Sequence, residues 1–310
     1  MYNVLSITIP FFAIIFLGTI LSYRKIFDNT NAKILTKFAL YVTLPPFVFI
    51  NILKASSNVN LFNWNFILRF EIVTISILFL SFLISRSFFG NDKKKSSMFA
   101  LNSAYPNYGY MGIPLCILAF GEMASIPISL ILLVDTLILL SFTSFFTNDK
   151  NNFNFFKRTF IFLFEIIKNP ILFSVFLGFI FISSNIKLHS ILYNFIEILS
   201  FAATPTALFA IGINLYGKFE NKSYNDLLTI TVFKLLIHPL LIFLIFYIFP
   251  SDTPILWIKV AILCASLPVA SNVFAMSIYY NSFSKTTSSS IFATTIISTL
   301  TVPFVLYLLL

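Results

Sequence analysis

Charge is what this 310-residue chain has least of. Asp, Glu, Lys and Arg together make up 10% of it, against about 25% in a soluble domain. With 58% of its residues hydrophobic, it cannot cover a folded surface with polar groups, so its solvent is lipid. Cysteine is nearly absent. Cys116 and Cys264 each lie inside an apolar stretch, in neither a CxxC pair nor a metal-ligand pattern, which argues against redox and zinc chemistry. There is no Ser-His-Asp set, HExxH helix or phosphate-cradling glycine loop, so enzyme chemistry has no support. The first apolar stretch, from about Val4, lacks a basic n-region before it and a small-residue cleavage site after it. That predicts a retained span and not a signal peptide. Glycine is also scarce, at 8 residues, which gives weight to where the glycines fall.

They fall in a repeat. Pro10, Gly18 and Pro45 are answered by Pro170, Gly178 and Pro205, an offset of 160. Phe16-Leu17-Gly18 recurs as Phe176-Leu177-Gly178, and Phe49 as Phe209. At an offset of 162, the stretch from Leu101 to Pro106 is echoed by Leu263 to Pro268. Two apolar halves, each with a proline-broken segment in the same place, form the pattern of a secondary transporter with inverted repeats.

A membrane helix needs roughly 20 mostly apolar residues. Ten candidates follow, at about 4–23, 34–53, 65–85, 97–119, 125–146, 162–183, 191–214, 227–249, 256–280 and 288–309. The net charge of +9 reflects topology and not nucleic-acid binding. Arg24, Lys25 and Lys33 follow span one; Arg86 and Lys93 to Lys95 follow span three. Lys150, Lys157 and Arg158 follow span five, Lys218 and Lys222 span seven, and Lys285 span nine. The other side has little beyond Lys54 and Lys187. By the positive-inside rule the odd-numbered loops are cytoplasmic and both termini lie outside. Five spans per half is an odd number, so the second half is inverted relative to the first. The expected fold is therefore an all-α membrane protein of ten transmembrane helices in two inverted five-helix repeats, with helices 4 and 9 broken and crossing. The first repeat covers residues 1–148, a cytoplasmic connecting loop 149–161, and the second repeat 162–310.

Span four contains Tyr105-Pro106-Asn107-Tyr108-Gly109-Tyr110-Met111-Gly112. Pro106 lacks an N–H and clashes with the preceding turn. Asn107 is a preferred N-cap for a helix that restarts there. Span nine repeats the device with Pro268, followed by Ser271 and Asn272, again capping types. Each span should form two half-helices joined by unwound backbone, which survives at membrane depth only where protein or a water-filled cavity satisfies it. Half-helix N-termini carry partial positive charge and free N–H groups, which suit an anion. Pro106, Asn107, Tyr110, Pro268, Ser271 and Asn272 are the candidate substrate-binding residues. The bland alternative is that the prolines only kink packed helices.

Other polar residues fall inside the spans. Asp135 lies mid-span in an apolar run, where an acid costs about 2.5–3.5 kcal/mol and normally faces a cavity or partner; it is a candidate for a coupling proton or a structural acid. Lys234 and His238 are one turn apart on one helix face. They either line a substrate path, or Lys234 snorkels to the cytoplasm. Glu71, beside Arg69, reads as the outer end of span three, held by a local ion pair, and Glu197 as an interfacial residue.

These stretches also carry a family resemblance. Ile9-Pro10 to Gly18, Leu44-Pro45, Asn107 to Pro114, Thr204 to Gly212, Lys234 to Pro239 and Ser266 to Asn272 occur in order across essentially the whole chain. Taken together they resemble the auxin efflux carrier family, which includes bacterial malate and malonate permeases and is related to the plant PIN-FORMED carriers. The resemblance implies ten helices in two inverted repeats, with broken helices crossing near the substrate site at Pro106–Asn107 and Pro268–Asn272. It implies an elevator-like motion of helices three to five and eight to ten against helices one, two, six and seven. It also implies homodimers. The short connection between spans five and six lacks the long cytosolic domain of the plant carriers and points to a bacterial carboxylate carrier.

The expected function is secondary transport of a small organic anion such as malate or malonate across the cell membrane. No cofactor or metal is needed beyond a coupling ion, H+ or Na+. The alternative within transport is a sodium- or proton-coupled symporter of a bulkier organic anion. Other classes are a channel and a non-transporting membrane receptor or partner subunit, the latter disfavoured by the short cytoplasmic loops.

Overall fold

A computed structural model describes residues 2–55, 62–147, 168–184, 186, 188–216, 223–249 and 252–310. Among these, the structure is helical apart from one isolated β-bridge. In chain order the α-helices are α1 (Tyr2–Tyr23), α2 (Asn29–Phe38), α3 (Leu44–Lys54), α4 (Trp64–Ser87), α5 (Lys93–Ala104), α6 (Ile113–Phe120), α7 (Ser125–Thr147) and α8 (Pro170–Ser183). They continue as α9 (Ser190–Phe201), α10 (Ala203–Leu215), α11 (Tyr224–Val232), α12 (His238–Ile248), α13 (Ile255–Ala265), α14 (Asn272–Tyr279) and α15 (Ser284–Leu309). The expected connecting loop 149–161 lies outside the described residues, as do the first residues of span six and Lys150, Lys157, Arg158, Lys187, Lys218 and Lys222.

Among the described residues, seven helical segments are long and apolar enough to cross a membrane: Tyr2–Tyr23, Asn29–Lys54, Trp64–Ser87, Glu122–Thr143, Ser190–Leu215, Tyr224–Ile248 and Ser284–Leu309. Three apolar helical segments are shorter: Tyr108–Phe120, Pro170–Ser183 and Ile255–Ala265. Their outer faces expose large apolar side chains such as Ile9, Leu83, Phe201 and Leu300, as lipid contact requires.

Proline sets the bends by one rule, used three times. A π turn precedes Pro45, Pro114 and Pro239, at Ala39–Thr43, Tyr108–Gly112 and Phe233–Ile237. In each, the residue just before the proline donates its N–H five residues back: Leu44 to Ala39, Ile113 to Tyr108, His238 to Phe233. Proline cannot donate, and its ring crowds the carbonyl four back, so the backbone widens by one residue and the helix continues. Pro205, the partner of Pro45 in the repeat, follows a break at Ala202 between α9 and α10.

The helices pack mainly in two groups. In one, α1 lies on α10, α3 on α8 and α9, and α2 on α10. In the other, α4, α5, α7, α11 to α13 and α15 surround one another. Glycine permits the closest crossing. A Cβ on Gly18 would lie 2.5 Å from the Phe209 carbonyl oxygen, and one on Gly212 would collide with the Ile15 carbonyl. Thr19 bridges the same contact, its hydroxyl donating to the Gly212 carbonyl at 2.9 Å. Small residues at such crossings let helix backbones meet where lipid offers no hydrophobic drive.

Candidate functional site

The two proline breaks meet. α5 ends at Tyr105, whose backbone is extended (φ −90°, ψ 103°), and α13 ends at Ala265. The Asn107 N–H donates to the Pro268 carbonyl at 2.9 Å, and the Ala270 N–H donates to the Tyr105 carbonyl at 2.9 Å. Pro106 and Val269 thus face each other as an antiparallel bridge. Each proline has removed a donor from its own helix, and each broken strand supplies the other with the bond it lost. The Val269 N–H, pointing away, is taken by the Thr294 hydroxyl of α15 at 3.1 Å.

The expected side-chain caps are not formed. Asn107 and Ser271 do occupy N-cap positions, yet neither makes a side-chain cap hydrogen bond. At Asn107 the main-chain carbonyl caps instead, accepting from Met111 and Gly112 at 3.2 and 2.9 Å. A restart in π geometry brings those amides to the carbonyl and leaves the side chain unused. Peripheral helix starts behave otherwise: Asp28, Asn63, Asp92, Asn169 and Ser223 all cap with their side chains. At the two interior starts the side chains of Asn107 and Ser271 are therefore not used to cap.

Two cavities adjoin the crossing. The larger, about 370 Å³, runs between α2, α10, α14 and α15 and ends on Tyr110, Ser271 and Asn272. The smaller, about 30 Å³, is walled by Pro106, Asn107, Tyr110, Thr136, Asn169 and Asn272. Tyr110 and Asn272 belong to both and form the wall between them. Of the predicted binding residues, five line a cavity. Pro268 stands behind the crossing and contributes its carbonyl. Asn272 also lies within reach of the Tyr105 hydroxyl, which is 3.2 Å from that of Thr136.

Behind the crossing lies a buried polar cluster. Asp135 is fully buried, and its Oδ2 accepts from the Tyr108 hydroxyl at 2.7 Å. Lys234 is also fully buried. Its Nζ donates to the Ala265 carbonyl at 2.7 Å and lies 3.3 Å from His238 Nδ1. His238 Nε2 is 3.4 Å from the Thr74 hydroxyl. The expectation that Lys234 could snorkel to the surface is thereby corrected: the carbonyl end of α13, opened by the break, holds it inside. A cation there answers the negative end of a half-helix dipole.

Glu71 requires a second correction. It does not sit at the outer interface with Arg69. It is 5% exposed, and its buried carboxyl lies within hydrogen-bond reach of Asp135, with no other donor to it among the described residues. Arg69 turns the other way, donating to the Phe249 carbonyl and lying over the Phe246 ring. The sequence carried a signal for this: Glu71, Thr74, Ser81 and Ser85 share one buried face of α4, a polar stripe that has no place against lipid. Glu197, by contrast, is part-exposed and pairs with Lys54 at 2.7 Å. The Cys116 and Cys264 sulfurs lie 3.9 Å apart as free, buried thiols.

Comparison with known proteins gives a consistent result. A family model described as "Membrane transport protein" matches residues 4–306. A protein of Rhizobium meliloti (strain 1021) named "Putative malonate transporter" is 28% identical over 315 residues, covering 100% of this chain and 97% of the relative. "Uncharacterized transporter YfdV" of Escherichia coli (strain K12) is 21% identical over 306 residues, covering 96% of this chain and 95% of the relative. The Shigella flexneri protein of the same name matches equally.

Proposed function

The chain belongs to this membrane transport protein family, the auxin efflux carriers, and is a transporter and not an enzyme; from that premise we propose that it is a secondary carrier of small organic anions, malonate and malate first among them. The observation that carries the proposal is the cavity of about 370 Å³. It lies between the two packing groups of helices and ends on the crossing of two broken helices. Substrate sites of secondary transporters sit at such discontinuities, where half-helix N-termini meet an anionic group. The name of the Rhizobium meliloti relative supports malonate.

The rest of the reading follows from this arrangement. Counting the three short apolar segments as parts of further spans makes ten crossings. The matched prolines and glycines of the two halves then support two inverted repeats. The group containing both broken helices moves as an elevator against the group built on α1, α3, α8 and α10. Charge at the helix ends supports a reading with both termini outside the cell membrane and the larger cavity open to the cytoplasm. Two copies pair as a homodimer through the static group. Asp135, Glu71, Lys234 and His238 carry the coupling proton, because they form a buried polar cluster directly behind the moving site.

A bulkier anion is the second reading. The cavity falls in the size range of pockets for drug-sized ligands, and Ile211, Phe274, Ile291 and Phe292 line it. The test is uptake of labelled malonate into proteoliposomes loaded with unlabelled dicarboxylates, with and without a pH or sodium gradient. Saturable exchange supports the proposal, and its pH or sodium dependence names the coupling ion. Steady ionic conductance in a planar bilayer would replace the carrier with a channel.

A further inference from the structure

The wall of the larger cavity is electrically one-sided. It contains two lysines, Lys33 and Lys37, and no aspartate or glutamate. Both belong to α2 and are four residues apart, so their side chains rise one turn apart from one face. Both are exposed, and among the described residues neither enters an ion pair. The acid nearest in sequence, Asp28, is engaged elsewhere: its carboxylate accepts the Thr30 and Asn31 N–H groups at 2.8 and 2.9 Å and caps the helix. Across the cavity stands the neutral amide of Asn214. Two uncompensated positive charges therefore look into an opening with apolar walls, and Tyr110, Ser271 and Asn272 lie at its inner end.

Resting on the organic-anion reading above, we propose that Lys33 and Lys37 are specificity-determining residues that select dicarboxylates over monocarboxylates. The physical basis is the charge product. A dianion gains twice the Coulomb energy of a monoanion from each ammonium, and low-dielectric walls focus the field. The amides at the crossing can hold one carboxylate of either ligand, so they do not discriminate. Discrimination comes from the rim, where the second carboxylate or the net charge of the ligand is felt. Two exposed ammonium groups on one face of α2 also suit the phosphate of an anionic lipid headgroup, and the experiment separates the two sources.

Succinate and butyrate have equal carbon counts and differ in one carboxylate. Each is titrated against thermal unfolding of the purified full-length protein in neutral detergent. Each is then used to compete with labelled malonate uptake into phosphatidylcholine liposomes. We expect wild type to favour succinate by about tenfold or more, and K33Q/K37Q to weaken succinate about tenfold but butyrate no more than about threefold. The loss should appear in KM and leave kcat in place. K33R/K37R should retain the preference, and K25Q, a basic change outside the cavity wall, should behave as wild type. Equal losses for both acids, or none, overturn the rim and leave the carrier reading standing. Failure of wild type to bind or carry either acid overturns both. An effect of K33Q/K37Q seen only when anionic phospholipid is added assigns the lysines to headgroups and overturns the rim.

Discussion

Lys234 holds the carbonyl of Ala265, the last residue of α13, at 2.7 Å, although Ala265 belongs to a different helix pair and lies directly before the second proline break. A fully buried ammonium thus closes the carbonyl end of a helix that the sequence leaves open. It also lies near the buried carboxyl group of Asp135, which in turn neighbours Glu71.

Replacing Lys234 by alanine strips the cluster of its cation and uncovers the α13 terminus. Removing one partner of a buried charge set costs about 3–5 kcal/mol. Lys234→Ala should therefore unfold at a markedly lower temperature. Lys234→Met combined with Asp135→Asn, which removes charge of both signs, should recover most of the loss. A double variant as unstable as the single one would detach Lys234 from the acids.

Glu71 is a sharper test of proton coupling, because among the described residues its carboxyl has no partner but Asp135 and glutamine preserves its shape. Glu71→Gln should fold normally and flatten the pH dependence of malonate uptake, while Asp135→Asn, which keeps an oxygen to accept from the Tyr108 hydroxyl, abolishes it. Uptake measured between pH 5 and pH 8 decides the matter. A Glu71→Gln profile that superimposes on wild type would remove Glu71 from the coupling path.

Neither Asn107 nor Asn272 caps its helix with its side chain, so neither amide is committed to holding the break. Asn107→Ala and Asn272→Ala should each lower transport more than about tenfold, with thermal stability within about 1 kcal/mol of wild type. Size-exclusion profiles and uptake measured on the same preparations provide the check. Normal transport in both variants would sink the site assignment.

Gly212 has no room for a methyl group against the Ile15 carbonyl. Gly212→Ala should destabilise the protein by about 1–3 kcal/mol through forced separation of α1 and α10. Gly109→Ala is the contrast, since a Cβ there meets only an Ile171 methyl at 3.4 Å. Comparing their melting temperatures tests whether that crossing is as rigid as the packing implies.

Local chemistry made the helix breaks legible. Pro106 and Pro268 remove a donor whatever surrounds them, so unwound backbone could be placed from sequence, and the echo at an offset of 162 residues hinted that the two breaks belong together. What sequence could not convey was depth. Glu71 looked interfacial because Arg69 stood beside it, yet the turn of α4 sends the two side chains in opposite directions. Lys234 looked able to snorkel, but the carbonyl that retains it is 31 residues away in sequence. Capping failed for a related reason. Asn107 has the right chemistry for an N-cap, but the π turn required by Pro114 delivers the amides to its carbonyl. The larger cavity depends on how four helices converge, and no local signal encodes that.

The wall shared by the two cavities consists of Tyr110 and Asn272, single side chains from opposite halves of the chain. A canal lock works only while its gates are sound, and here each gate leaf is one residue thick. Thinning a leaf would join the two chambers, and on the carrier reading the gradient meant to be exchanged for cargo would then leak. On the carrier reading, the choice of side chain at Tyr110 is thus constrained by leakage as much as by affinity.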